Sequence, residues 1–283
     1  MRFLLPLLLL SLLMAGCVHR DGPRMAGGTP GDFPGAGEIL ADLHARSQAL
    51  QSLELTGNVR LKLPGEAATQ NFRGGTLYYE APGQFAMSCR KPGFRLYAYV
   101  ADERFLLNLP YEKTYYVGRE GDRFDEVLMA ITPSRLLDEV FLLTIPGVEA
   151  AKRSTVAPDP DYPEGYVLTV HTRRNGPLER RIYVEQVGNW RIRAMTAYDE
   201  DGREVVTTSC TEYKEFEDVS IPSTVESVFP APLDALIGYV ATRMEYRLQG
   251  ASPLGTISLD AVEVGLAAQD YTKISGKRPI ETE

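Results

Sequence analysis

Cys17 is the residue whose surroundings most specifically call for chemistry. It follows Met1-Arg2, an apolar run from Phe3 to Leu13, and the small residues Ala15 and Gly16. A basic first step, about a dozen apolar residues and small residues before a cut make a secretory signal, too short for a membrane span of roughly 20 residues. The other groups able to react are scattered. His19 falls in a Gly/Pro-rich stretch, His44 on an expected helix and His171 on an expected strand, so a triad or metal cluster would need distant residues to converge. The chain has no Gly-x-Ser-x-Gly elbow, no His-Glu-x-x-His, no Cys-x-x-Cys and no phosphate-cradling glycine loop. Asp159, Asp161 and Glu164 are interleaved with Pro158, Pro160 and Pro163, and the glycine of a calcium loop is misplaced, so they read as a solvated acidic loop. No catalytic residue, metal site or cofactor is expected.

Met14-Ala15-Gly16-Cys17 resembles the lipobox of bacterial lipoprotein signal peptides, with Met14 where leucine is commonest. The resemblance implies a mature chain starting at an acylated Cys17. Several acyl chains, at about 0.8 kcal/mol per buried CH₂, hold far better than one. Val18 follows; the absence of the aspartate that resembles an inner-membrane retention signal favours the outer membrane, with the body facing the periplasm. The formal net charge is −8, and Arg2 is the one charge before Cys17, so the mature body is more acidic still. That excess repels phosphate backbones and argues against a nucleic-acid partner. Cys89 and Cys210 sit in strand-like runs, where a bridge and two separate buried thiols are both open.

Residues 1–16 read as signal, 17–37 as lipidated cysteine and flexible Gly/Pro tether, 38–265 as one domain and 266–283 as a polar tail. Ile39, Leu40, Leu43, Ser47 and Leu50 recur at helical spacing, which predicts a helix over 38–51. Leu53, Leu55, Gly57, Val59, Leu61 and Leu63 then alternate with polar residues, the mark of a half-buried strand. Similar runs at 69–79, 84–90, 94–100, 104–109 and 114–118, joined by turn residues, make an antiparallel meander. A helical stripe (Phe124, Val127, Leu128, Ile131), the cap Thr132-Pro133 and a second stripe (Leu136, Leu137, Val140, Phe141) interrupt it. Strands resume around the Asn175-Gly176 hairpin and are expected at 190–198, 204–216, 223–229, 240–249 and 256–264. The expected fold class is α+β, mainly antiparallel β, with about eleven strands.

This order resembles the lipoprotein carrier and receptor family, LolA and LolB. The likeness rests on Ala41-Asp42-Leu43-His44-Ala45-Arg46 running into Leu55-Thr56-Gly57-Asn58-Val59-Arg60-Leu61, on Gly75-Thr76-Leu77-Tyr78-Tyr79-Glu80-Ala81-Pro82-Gly83-Gln84-Phe85, on Tyr198-Asp199-Glu200-Asp201-Gly202-Arg203-Glu204-Val205, and on a closing Val262-Glu263-Val264-Gly265. It implies an incomplete, open β-barrel whose apolar hollow is covered by helices and accepts acyl chains. Alternation then selects Leu55, Val59, Leu61, Leu77, Phe85, Met87, Leu96 and Phe105 as the inward, lipid-binding face. The receptor joins its third and fourth strands by a turn exposing an apolar residue for membrane or cargo insertion. Here that turn is Lys91-Pro92-Gly93-Phe94; Phe94 either points to solvent or starts the next strand with its ring inward.

Tyr78, Tyr79, Tyr97, Tyr99, Tyr111, Tyr115 and Tyr116 crowd the first meander and either line a cavity or pack between strands. Arg173, Arg174, Arg180 and Arg181 around the hairpin, with Arg191 and Arg193 beyond, either meet lipid head groups or form a charged edge that resists aggregation. The reading is an outer-membrane lipoprotein, not an enzyme, that binds lipid or lipoprotein acyl chains and aids their transfer or insertion. The alternative is a structural adaptor for envelope proteins, its hollow filled by its own side chains.

Overall fold

The computed structural model describes residues 33–81, 83–119, 122–125, 131–143, 145–171, 179–216, 219–247 and 257–277. The chain divides into Met1–Phe33 and Pro34–Glu283, and the fold is that of the second unit. Cys17, Arg173 and Arg174 lie outside the described residues.

Helix α1 (Ala36–Ala49) carries Glu38 in its first turn and Arg46 in its last, each at the helix end its charge suits, and buries Ile39, Leu40 and Leu43. The first meander follows: β1 (Ser52–Lys62), β2 (Gln70–Glu80), β3 (Gln84–Lys91), β4 (Phe94–Ala101), β5 (Arg104–Leu109) and β6 (Thr114–Arg119). A helical insertion comes next, with α2 (Pro133–Arg135) continuing as a π-helical turn Leu136–Val140 and a 3₁₀ turn Val148–Arg153 after it. The second meander is β7 (Ser154–Pro158), β8 (Gly165–His171), β9 (Glu179–Val187), β10 (Asn189–Tyr198), β11 (Glu204–Phe216), β12 (Val219–Phe229) and β13 (Ala235–Arg247). Helix α3 (Leu259–Ala267) and strand β14 (Thr272–Ser275) complete the described chain.

Among the described residues, the strands form one 14-stranded sheet in the order β14-β6-β5-β4-β3-β2-β1-β13-β12-β11-β10-β9-β8-β7. The meanders join through β1 and β13; every pairing is antiparallel except β14 with β6, and the two edges do not meet. The expected open antiparallel barrel is therefore the fold, with fourteen strands rather than about eleven. Its curl has a local cause at β1. Gly57 sits opposite Gly75, and the register slips beside Gly57 toward both neighbours. A Cβ at Gly57 would lie 2.2 Å from the Val240 carbonyl oxygen, and one at Gly75 2.4 Å from Val59 Cγ2. Only glycine permits so close an approach, and bulges there bend the strand.

The concave side holds the main core, in which α1, the π turn and Phe141 pack on both meanders. Phe141 stacks on Phe85 and Tyr239, both at 5.9 Å between ring centroids. A second core lies on the other face of β3 to β6. There Leu259 and Leu266 of α3 cover Ala86, Leu106, Tyr115 and Val117, with Tyr78 and Tyr99 packed against them. The tyrosines thus divide by strand alternation: Tyr79 and Tyr116 face the main core, Tyr78, Tyr99 and Tyr115 the second.

Three expectations are corrected. The segment expected as a strand over 256–264 for its β-branched residues, including Val262-Glu263-Val264-Gly265, lies from Leu259 onward in helix α3. Ser258 Oγ accepts from the Ala261 amide (3.3 Å), Asp260 suits the first turn, and Leu259, Val262 and Leu266 share one face. Phe124 is not helical; it stacks on Phe105 at 5.8 Å, and Arg123 bridges to Lys277, while Val127 and Leu128 lie outside the described residues. Beyond residue 265 the chain adds β14 to the sheet. The cap itself is as read: Thr132 Oγ1 accepts from the Arg135 amide, with Pro133 in the first turn.

Candidate functional site: an apolar cleft under the first helix

The eight side chains read as a hollow are all buried on the concave face of the first meander. There the space is taken by the protein's own residues, Phe141 above all, and none of the eight lines the cleft described here. That cleft opens over the second meander. Leu43 of α1 and Leu50 just beyond it form one wall, Phe141, Leu142, Leu143 and Ile145 a second, and Trp190, Ile192, Cys210, Tyr213, Val219 and Ile221 the floor. Its cavity measures about 80 Å³. That exceeds the 10–15 Å³ one water needs, by roughly fivefold, and falls below the ~300 Å³ at which sites for drug-sized ligands begin.

Polar groups fix the walls. Ser47 Oγ donates to the Leu143 carbonyl (2.9 Å) and His44 Nδ1 to the Ile145 carbonyl (3.4 Å), so α1 holds the covering segment. Asp42 Oδ2 accepts from Arg46 Nη2 (2.6 Å) and from the Trp190 amide (3.1 Å), which ties α1 to β10. Arg46 Nε is buried without a partner among the described residues, and Arg46 lines the cleft. Arg191, also on the wall, pairs with Glu215 and lies over the Tyr213 ring, whose hydroxyl donates to the Ile192 carbonyl. The arrangement is an apolar slot with two guanidinium groups at its side, each paired with a carboxylate. Burial pushes the Cys210 thiol up to about 12, so at neutral pH it is an inert apolar group. Cys89, also raised to about 12 by burial, is likewise a free thiol, which settles the two cysteines as separate.

Phe94 does not protrude: Pro92 and Gly93 (φ +76°) make a two-residue turn, Lys91 pairs with Phe94, and the half-buried ring lies 5.0 Å from Phe72. The ring exposed on this rim is Tyr111, 76% accessible. Here Arg90, Lys91 and Arg95, with Phe94, Tyr111 and Tyr271, line a shallow groove of about 720 Å³. Arg90 and Arg95 are directly opposite in register and make no ion pair among the described residues. Like charges so placed are unfavourable in themselves. The expected basic tip is different: Arg181 pairs with Glu179 (2.7 Å) and lies over Tyr198, while Arg180 reaches inward to within 4.0 Å of Glu139. Strand alternation explains it, since Arg180 shares the inward face of β9 with Ile182 and Val184. Arg193 pairs with buried Asp159, which pins one end of that acidic loop, while Asp161 and Glu164 are exposed as expected.

Glu139 is 1% exposed in the π turn. Arg135 Nε donates to it at 2.7 Å, and its main-chain oxygen accepts from Thr208 Oγ1 (2.5 Å), itself hydrogen-bonded to Ser227 (2.8 Å). Sequence reading missed this polar seam, whose signal was Thr208 between inward Val206 and Cys210 and Ser227 between inward Val225 and Phe229.

A putative outer membrane lipoprotein-sorting protein domain from Vibrio parahaemolyticus superposes with a TM-score of 0.53 at 15% identity, over 81% of this chain and 97% of its own. The fold is shared with that domain. A DUF1329 family protein from Desulfovibrio piger gives 0.51 at 11% identity, over 77% and 96%. A LolA superfamily protein from Nitrosomonas europaea gives 0.49 at 12% identity, over 76% and 94%. No family model and no curated protein sequence matches the chain.

Proposed function

We propose that this LolA-like chain is an outer-membrane lipoprotein, anchored through Cys17 and facing the periplasm, that takes an acyl chain of a lipid or lipoprotein into the cleft beneath α1. It does no bond-breaking chemistry. The observation that carries the reading is the cleft itself: an apolar slot left open where a curved sheet, a helix and a short covering segment meet, flanked by Arg46 and Arg191. The relative from Vibrio parahaemolyticus, described as lipoprotein-sorting, supports the same class of cargo. At the rim, Arg90, Lys91 and Arg95 beside Tyr111 and Tyr271 combine the cations that favour anionic head groups with rings suited to a membrane interface. That groove, more than Phe94 alone, is the surface on which such a protein would meet a bilayer.

The cleft's small volume favours a second reading, the adaptor whose hollow is filled by its own side chains. Native mass spectrometry of the purified protein after incubation with lipid extract separates the two. Retained species of lipid mass, lost in Ile221→Asp, support the carrier. A bare protein mass under every condition supports the adaptor. Fractionation of Cys17→Ser tests the anchor: release from the membrane is expected, and unchanged partitioning without fatty-acid labelling would overturn it.

A further inference from the structure

Leu142 has φ +52°, the left-handed region in which an L side chain crowds the following carbonyl. The other non-glycine residues there among the described residues, Asp102, Glu103, Lys113, Glu212, Asp234 and Asp270, are all charged. A large apolar residue persists in this conformation only where its surroundings force it. They do so from both sides. Upstream, the Phe141 amide closes the π turn on the Leu136 carbonyl (2.9 Å); downstream, the Leu143 and Ile145 carbonyls are held by Ser47 and His44 of α1. Leu142 is thereby set between two voids. It lines the cleft, and it lines a second, small void of about 10 Å³ bounded by Ile182 and Met195 with Asp138 and Arg180 at its margin. Leu142, Ile145 and Ile192 border both. Of these, Leu142 alone sits in strained backbone.

We infer that the two voids are segments of one acyl channel and that Leu142 is its stop, setting the length of the straight, single acyl chain that the cleft accepts. This rests on the acyl-binding reading. A short chain ends against Leu142; a longer one requires the side chain to leave the divide, after which its terminal methylenes run toward Met195 and Ile182.

The test titrates the full chain carrying Cys17→Ser with saturated fatty acids from octanoate to palmitate, following the emission of Trp190 on the cleft floor and confirming occupancy by native mass spectrometry. Leu142→Gly is the principal variant, because glycine adopts this backbone without strain and the fold should hold, as an unchanged or raised melting temperature would show. Affinity in the parent should rise with chain length and then level off. In Leu142→Gly the plateau should move to longer chains, with palmitate gaining at least about tenfold, the effect of burying about two further methylenes. Leu143→Ala, which widens only the cleft, should leave the plateau in place. A length profile identical in parent and Leu142→Gly, or an equal shift in Leu143→Ala, overturns the stop while leaving acyl binding intact. Absence of binding by every acid to every variant overturns both.

Discussion

At the scale of single residues, the two thiols and Phe94 carry clear expectations. Cys89 and Cys210 have folded-state values of about 12 against an ordinary 9.0. A group whose value is raised on folding contributes stability that is complete below its unfolded value and is lost as pH climbs to the folded one. Stability should therefore fall between about pH 9 and pH 12, and Cys89→Ala with Cys210→Ala should flatten that decline in chemical-denaturation series. Neither thiol should react with an alkylating reagent at neutral pH until the protein unfolds. For Phe94, the contact with Phe72 predicts that Phe94→Glu lowers stability by about 1–3 kcal/mol, read as a fall in melting temperature. An unchanged melt would mean the ring is free of the sheet. Much at this scale was legible in sequence: alternation put Leu55, Val59, Leu77 and Phe85 on the concave face, and Thr132-Pro133 announced a helix start. The inward turn of Arg180 was equally written in the alternation of β9, but a cluster of arginines beside a hairpin reads first as a surface.

At the scale of elements, the Gly57 crossing and the π turn decide the shape of the interior. Gly57→Ala places a methyl group against the Val240 carbonyl and should cost at least about 1–3 kcal/mol, since main chain must move. A neutral effect on stability would mean that the curl of the sheet does not depend on that approach. Glu139→Ala leaves Arg135 and Arg180 facing a buried site without their carboxylate and should cost about 3–5 kcal/mol, measured in urea, whereas an exposed ion pair would cost under about 1 kcal/mol. Element type failed at one place, α3. Val262 and Val264 favour a strand locally, and the helix wins because its Leu259 and Leu266 cover an apolar patch on β3 to β6 that no short-range pattern reveals. The same limit hid the cleft. Trp190, Ile192, Val219 and Ile221 alternate as plainly as the first meander does, yet which meander is filled depends on where Phe141 lands, a contact across many residues of chain.

In the whole molecule the two meanders of one curved sheet are filled differently. The first meander is packed shut by Phe141 and Phe124 on its concave side and by α3 on the other, which leaves the second meander to carry the open cleft. The proposed function asks something different of the rim groove, contact with a charged surface. Replacing Arg90 and Arg95 together by glutamine should weaken sedimentation with anionic vesicles at low salt and leave the melt within about 0.5 kcal/mol of the parent, or slightly above it, since two like charges are removed. Equal binding of parent and variant would assign the groove no membrane role. An acyl chain entering beneath α1 would meet Trp190, the only tryptophan of the chain, which stands on that floor. Titration with phospholipids brominated along one acyl chain tests that entry most directly. Entry predicts deep, saturable quenching of Trp190 emission that Ile221→Asp abolishes while the fold is retained; emission unaffected by bromine at any position along the chain would contradict it.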